Sequence, residues 1–281
     1  MASILPKREN VVGMTRIQNS LFAVVCLSTL VFGRLATGET ISSMTMPAEE
    51  SNAIAAVQSG AKVAALEDRA PFSSSAGIQC TYTLYGPLHG KPTVKYPLVL
   101  VFDSFGTDAF RLESHQADFP CYVLTIEGES IPSKFPPERR PDWSKARAGL
   151  AKELLTRLVK KRNIDPKRLY VTGLASGGKV AWTDAVTYPE LFAAVVPCCS
   201  ACRDLDRAPA LVQNHVAVWI FHGVAGNLIR PEQDFGPRAW VAALEKAGGS
   251  PRYTEYQLLG QTAMAYCEPE LWTWLFAQKK P

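Results

Sequence analysis

The stretch Arg168-Leu-Tyr-Val-Thr-Gly-Leu-Ala-Ser-Gly-Gly-Lys-Val-Ala-Trp182 holds the most chemically pointed spacing in the chain. Gly173 and Gly177 have the spacing of a G-x-S-x-G turn, in which a serine stands at the tip of a sharp strand-to-helix bend. The tip residue here is Ala175, which offers no nucleophilic atom. Gly178 extends the small-residue run on the helix side. Ser176 is the fallback nucleophile, but it lies one residue beyond the tip. One helical step rotates a side chain by about 100°, which swings this hydroxyl away from a base placed for the tip. A hydrogen bond at the helix start, or small-residue packing, is the plainer role for Ser176.

The other reactive side chains are sparse. His222 ends an apolar run and reads as a packed, hydrogen-bonded core histidine. His89, His115 and His215 fall in loops or at strand starts without an evident acid partner. Of seven cysteines, Cys26 lies in an N-terminal apolar run, and six follow: Cys80, Cys121, Cys198, Cys199, Cys202 and Cys267. Cys198-Cys-Ser-Ala-Cys202 lacks paired C-x-x-C motifs, so a thiolate metal site is not indicated. A cysteine nucleophile would need a base, and none is visible. The sequence leads us to expect no metal and no cofactor.

The elements that must position these residues alternate between strands and helices. Strands are expected near Ile78–Tyr85, Pro97–Phe102, Cys121–Ile126, Arg168–Thr172, Ala193–Pro197, Val216–Phe221 and Arg252–Gln257. Runs such as Leu98-Val-Leu-Val-Phe102 are apolar throughout, which suits a mostly parallel sheet covered on both faces. Asp142 can cap a helix whose stripe contains Leu150, Ala151, Leu154, Leu155, Leu158 and Val159. Further helices are expected over Pro237–Ala247 and Glu268–Gln278. Such alternation gives an open α/β sheet with a site formed by loops at the strand C-termini. Trp219, Trp240, Trp272 and Trp274 read as core, while Phe105, Phe110 and Phe135 fall in loops where they could line a pocket.

Hydrophobic content of 47% and charged content of 20% are those of an ordinary globular protein. Net charge is +4 over 281 residues. Four basic residues and one acidic residue fall in residues 1–38, so the remainder is nearly neutral. No basic tract or aromatic–basic interleaving points to a nucleic-acid partner. Leu21–Gly33 is an uncharged apolar run preceded by Arg16, shorter than the about 20 residues a membrane span needs. Ala36-Thr-Gly38 supplies small residues for cleavage before Glu39. Residues 1–38 therefore read as a signal peptide for export, periplasmic or extracellular, with an uncleaved N-terminal anchor as the alternative. No other membrane span is expected. Residues 39–75, rich in Ser, Ala, Thr and Glu, read as a flexible linker, with a weak helix over Asn52–Leu66. The domain is expected over 76–281.

With these elements in place, the sequence resembles the α/β-hydrolase family. The nearest resemblance is to secreted carboxylesterases of the polyhydroxybutyrate-depolymerase, feruloyl-esterase and predicted-peptidase group. It covers roughly Gly77 to Lys279. It is carried by Asp165-Pro-Lys-Arg-Leu-Tyr-Val-Thr-Gly-Leu174, Tyr188-Pro-Glu-Leu-Phe-Ala-Ala-Val-Val-Pro197, Ile220-Phe-His-Gly223 and Pro269–Gln278, in the family's order. The resemblance implies a Ser, Asp, His triad in chain order. The serine position falls on Ala175. In the acid loop, His222-Gly-Val-Ala-Gly-Asn227 puts Gly226 where the acid would stand. Gly260-Gln261 replaces the family's Gly-His pair, and glutamine cannot take a proton near neutral pH. The oxyanion loop, His-Gly in relatives, reads Asp103-Ser104-Phe105-Gly106. A carboxylate facing that site would oppose developing negative charge; facing away, it would not.

In this fold the loop after Pro197 and the loop of the histidine position can approach each other. A disulfide from Cys199 or Cys202 to Cys267 is then one arrangement, and small buried thiols are the plainer one. The combined departures imply a degenerate triad: a pseudoenzyme scaffold that binds an unspecified small molecule or protein near the vestigial site. The alternative is an active carboxylic-ester hydrolase with a relocated nucleophile such as Ser176.

Overall fold

The computed structural model describes residues 48–130, 143–225, 229–256 and 264–281. The expected signal peptide, the Asp142 cap, Phe135, Gly226 and Gln261 lie outside these residues.

The long apolar runs become the centre of a sheet. β3 (Tyr96–Val101), β5 (Ile164–Leu174), β6 (Ala194–Cys198) and β7 (Ala217–Gly223) pair in parallel, as does β8 (Arg252–Tyr256) on β7. Leu98, Val99, Leu100 and Val101 are essentially unexposed. Burying side chains of this kind contributes about 1.5–3 kcal/mol each, which explains why both faces must be covered. β4 (Tyr122–Ser130) flanks β3 in parallel, and β2 (Gln79–Tyr85) joins β4 antiparallel. With β1 (Ala65–Ser73) at one end, the order among the described residues is β1-β2-β4-β3-β5-β6-β7-β8.

The first strand corrects the sequence reading. β1 (Ala65–Ser73) lies inside the expected linker, yet it pairs antiparallel with β2 from Ala65↔Tyr85 to Ser73↔Gln79. Ahead of it, α1 (Ala48–Ser59) stands where only a weak helix was expected, and its Val57 is buried. The sheet therefore takes in Ala65–Ser73, inside the segment read as linker. The strand was hidden because Phe72 alone among its side chains is buried, leaving no apolar alternation.

Helices cover both faces. On one, α4 (Trp143–Lys161) buries Leu150, Ala151, Leu154, Leu155 and Leu158 at helical spacing. On the same face α5 (Ser176–Thr187) packs against α4, α6 (Ala208–Gln213) against α5, and α7 (Pro237–Lys246) against α6. Arg147 and Asp184 form a buried ion pair at 3.1 Å between α4 and α5, and Trp182 stacks on Trp240 at 4.1 Å. On the other face, α1, α2 (Ser104–Arg111) and α8 (Pro269–Ala277) supply Val57, Phe110 and Trp272 to a second core. α3 (Glu113–Asp118) follows α2. Phe105 and Phe110, expected in a loop near the site, are instead α2 residues packed toward Tyr266, with ring centroids 6.3 and 6.0 Å away. Among the described residues no helix is long and apolar enough to cross a membrane.

The strand order also places the site. The chain leaves β3 for β4 on one side, while β5 continues to β6 on the other. A crevice forms where the winding direction changes, and ligands of open α/β sheets bind there. Asp103 and Ala175 stand at its two lips, just after β3 and β5.

Candidate functional site

The bend after β5 has the geometry its glycines require. Ala175 adopts φ 55°, ψ −114°, a conformation L-residues rarely take. Holding it costs on the order of 1–3 kcal/mol, which the surroundings must offset. They do so by close backbone approach. A Cβ on Gly177 would lie 1.7 Å from the Phe102 carbonyl oxygen, and one on Gly173 would lie 2.4 Å from the Gly177 carbonyl carbon. The Ala175 amide donates to the Cys198 carbonyl at 2.9 Å, tying the tip to the end of β6. The bend thus holds its tip residue in a strained conformation, and the side chain it presents is a methyl group.

The loop after β3 is not an open cradle of amides. Residues Ser104, Phe105 and Gly106 form the first turn of α2, and Asp103 is its N-cap. The Asp103 carboxylate accepts the Gly106 amide and, at 2.7 Å, the Tyr266 hydroxyl; the Leu174 amide also bonds it. Burial raises its pKa above the ordinary carboxylate value, and these three donors oppose that rise. The Tyr266 hydroxyl lies 3.1 Å from Thr172 Oγ1, which donates to the Val196 carbonyl at 2.6 Å. Burial drives the Tyr266 phenol and the Cys198 thiol far up, so both stay neutral. This polar cluster braces the floor of the bend, and the carboxylate is turned into it rather than left facing solvent alone.

The histidines are placed elsewhere among the described residues. All four histidines are described. His222 Nε2 lies 2.9 Å from the Ile229 carbonyl, and burial pushes its pKa down. Its Nδ1 is buried without a hydrogen-bond partner among the described residues. His115 bonds the Ala109 carbonyl at 2.8 Å and packs on Trp272 with centroids 4.1 Å apart. His89 and His215 are exposed turn residues with positive φ. None of the four lines either cleft beside Ala175. Ser176 is exposed as the first residue of α5 and has no hydrogen-bond partner among the described residues. The expected helix-capping bond is therefore absent at this end.

Cys199, Cys202 and Cys267 are separate thiols, the plainer of the two arrangements, with no disulfide between them. Burial pushes the Cys202 and Cys267 thiols up to about 12, which leaves neither as a thiolate at neutral pH. Among the described residues no group of three or more His, Cys, Asp and Glu side chains is arranged to hold a metal.

Two clefts meet at Ser176. The larger, about 870 Å³, has Ala175, Ser176, Val186, Ile229 and Phe235 in its walls. Lys145, Lys179, Arg203 and Arg207 surround it. The smaller, about 530 Å³, runs past Asp103, Arg147 and Gly177. Lys179 sat in plain view one turn beyond the bend, but its direction was not readable. Tyr266 had no sequence signal at all.

No family model matches the chain, and no curated protein matches it. Solved structures do. A thermostable esterase is 25% identical, with TM-score 0.62, over 78% of this chain and 63% of its own. A putative dipeptidyl aminopeptidase IV from Bacteroides ovatus is 14% identical, with TM-score 0.55, over 74% of this chain and 35% of its own. An esterase from Rhizomucor miehei is 11% identical, with TM-score 0.54, over 81% of this chain and 85% of its own. The chain thus spans less than two thirds of the length of the first two. Its mostly parallel eight-stranded sheet, helix-covered on both faces, is the α/β-hydrolase fold.

Proposed function

We propose that this protein is a non-catalytic relative of carboxylesterases and peptidases that binds a ligand or partner in the cleft above the bend. The observation that carries the reading is the pairing of a strained tip at Ala175 with an absence of imidazole around it. Acyl transfer by a serine needs the hydroxyl, a base within reach and oriented donors for the oxyanion. Here the hydroxyl is missing and all four histidines are engaged or remote. The Gly106 and Leu174 amides are taken by Asp103. Gly226 and Gln261, at the acid and histidine positions implied by the family resemblance, support the same reading. Purified protein should hydrolyse p-nitrophenyl butyrate and feruloyl esters no faster than blank, and a fluorophosphonate probe should leave it unlabelled. Turnover above blank that Ser176→Ala abolishes would overturn this.

A second reading has one specific observation in its favour. Ser176 and Lys179 are three residues apart on α5 and line the same cleft, an S-x-x-K spacing in which lysine can serve a serine as base. Covalent labelling of Ser176, lost in Lys179→Ala, would establish it. Residues 1–38 complete the proposal as a signal for export, checked by mass spectrometry of the mature N-terminus against cleavage before Glu39 or an uncleaved anchor.

A further inference from the structure

We propose that the larger cleft binds an organic anion, a molecule with an apolar body and a carboxylate or phosphate group; this deepens the non-catalytic reading and rests on it. The first observation is charge. Lys145, Lys179, Arg203 and Arg207 line the cleft against Asp204 and Asp206. Among the described residues none of these four cations forms an ion pair, whereas Arg147, Arg162, Arg168 and Arg238 do. Two of the four are held in place without a carboxylate. The Arg203 guanidinium lies 3.9 Å over the Phe235 ring, and Arg207 donates to the Val186 carbonyl at 3.2 and 3.4 Å. A planar guanidinium fixed on an aromatic face keeps its N–H fork available for a carboxylate or phosphate. Four cations against two carboxylates around one concavity leave a local positive field.

The second observation is the shape and lining between the cations. The cleft, about 870 Å³, is within the range for small-molecule sites. Ala175, Val186, Ile229 and Phe235 give it apolar walls beneath the charges. An inorganic ion would leave those walls in water, while an organic anion would cover them and still meet the cations. The methyl group of Ala175 on the wall means that such a molecule meets no hydroxyl at the tip.

Isothermal titration with sodium octanoate, phenyl phosphate, octyltrimethylammonium and inorganic phosphate tests the proposal on the whole chain. Octanoate or phenyl phosphate should bind, more weakly in about 0.5 M salt than in dilute buffer, and the cation of matched length should not. Which of the two anions binds tighter distinguishes carboxylate from phosphate recognition. Lys179→Glu, an exposed position, should weaken binding by about tenfold, because it removes an attraction and adds a repulsion. The proposal is overturned if octanoate and octyltrimethylammonium bind alike, if no organic anion binds, or if inorganic phosphate binds as well as phenyl phosphate. It is also overturned if folded Lys179→Glu binds unchanged. Should circular dichroism show that variant unfolded, the comparison of anion and cation on the unaltered protein decides. Ester hydrolysis is measured in the same preparation. Hydrolysis with anion binding ends the non-catalytic reading alone, and neither hydrolysis nor binding ends this proposal alone.

Discussion

Removing a single hydroxyl beneath the bend tests the account of its floor. Tyr266 is fully buried, donates to the Asp103 carboxylate at 2.7 Å and lies 3.1 Å from Thr172 Oγ1. A hydrogen bond to a charged acceptor contributes about 1.5–3 kcal/mol, so Tyr266→Phe should lose about that much. For a domain of this size that lowers the melting temperature by about 3–12 °C at neutral pH. The pH dependence follows from Asp103. Burial raises its folded pKa above the ordinary value, and the Tyr266 donor opposes that rise. A carboxyl raised on folding favours the native state when protonated, and that contribution is lost as pH rises through the folded pKa. Without the tyrosine hydroxyl the pKa climbs further. The deficit of Tyr266→Phe is therefore full at neutral pH and shrinks as acid protonates Asp103. Calorimetric melts of the single and double variants with Asp103→Asn, at neutral and successively lower pH, measure both effects. A loss that is unchanged by pH, or that is equally large in the Asp103→Asn background, would refute the charged-bond argument.

Ala175→Ser restores the tip hydroxyl without a base, so hydrolysis of p-nitrophenyl butyrate should stay at the level of the unaltered protein; a rise of about a hundredfold would reveal a working proton acceptor. Gly177→Ala forces a Cβ to 1.7 Å from the Phe102 carbonyl oxygen and should cost about 1–3 kcal/mol or more in urea denaturation. Gly149→Ala, inside α4 with its nearest neighbour at 3.5 Å, should instead gain about 0.5–1 kcal/mol, and a reversed order between these two variants would sink the packing argument. His222, lowered by burial, binds a proton more readily unfolded than folded, so its contribution is present above the unfolded pKa and lost as pH falls from there through the folded pKa. His222→Gln should flatten the decline in stability on acidification, and an unaltered slope would remove His222 from the account.

What could be read from the residues was what local sterics and burial impose. Leu98 to Val101 could only be an interior strand, and Gly173 and Gly177 could only permit the close approach they make. The stripe from Leu150 to Leu158 likewise announced α4. What escaped depended on partners distant in the chain. Tyr266 acquires its role from Asp103, 163 positions earlier, and no periodicity marks it. Asp103-Ser-Phe-Gly106 looked like loop because α2 is short, and its start is settled by a side chain closing on its own backbone. The four cleft cations come from α4, α5 and the segment around residues 203–207, a convergence that spacing along the chain does not reveal.

β1 has a consequence for how copies of this protein meet. Among the described residues it is the outermost strand on its side of the sheet, and one of its backbone rows faces away from β2. Its sequence carries Glu67, Asp68, Arg69 and Pro71, and its pairing is interrupted between Ala65 and Ala70. Arg69 takes φ 45° within that interruption. Charge, proline and a kinked backbone are the devices by which a sheet refuses another strand. β2, by contrast, buries Tyr82, Thr83 and Leu84 at its centre. Among the described residues the sheet therefore ends in a strand whose charges, proline and broken register disfavour pairing with a further strand.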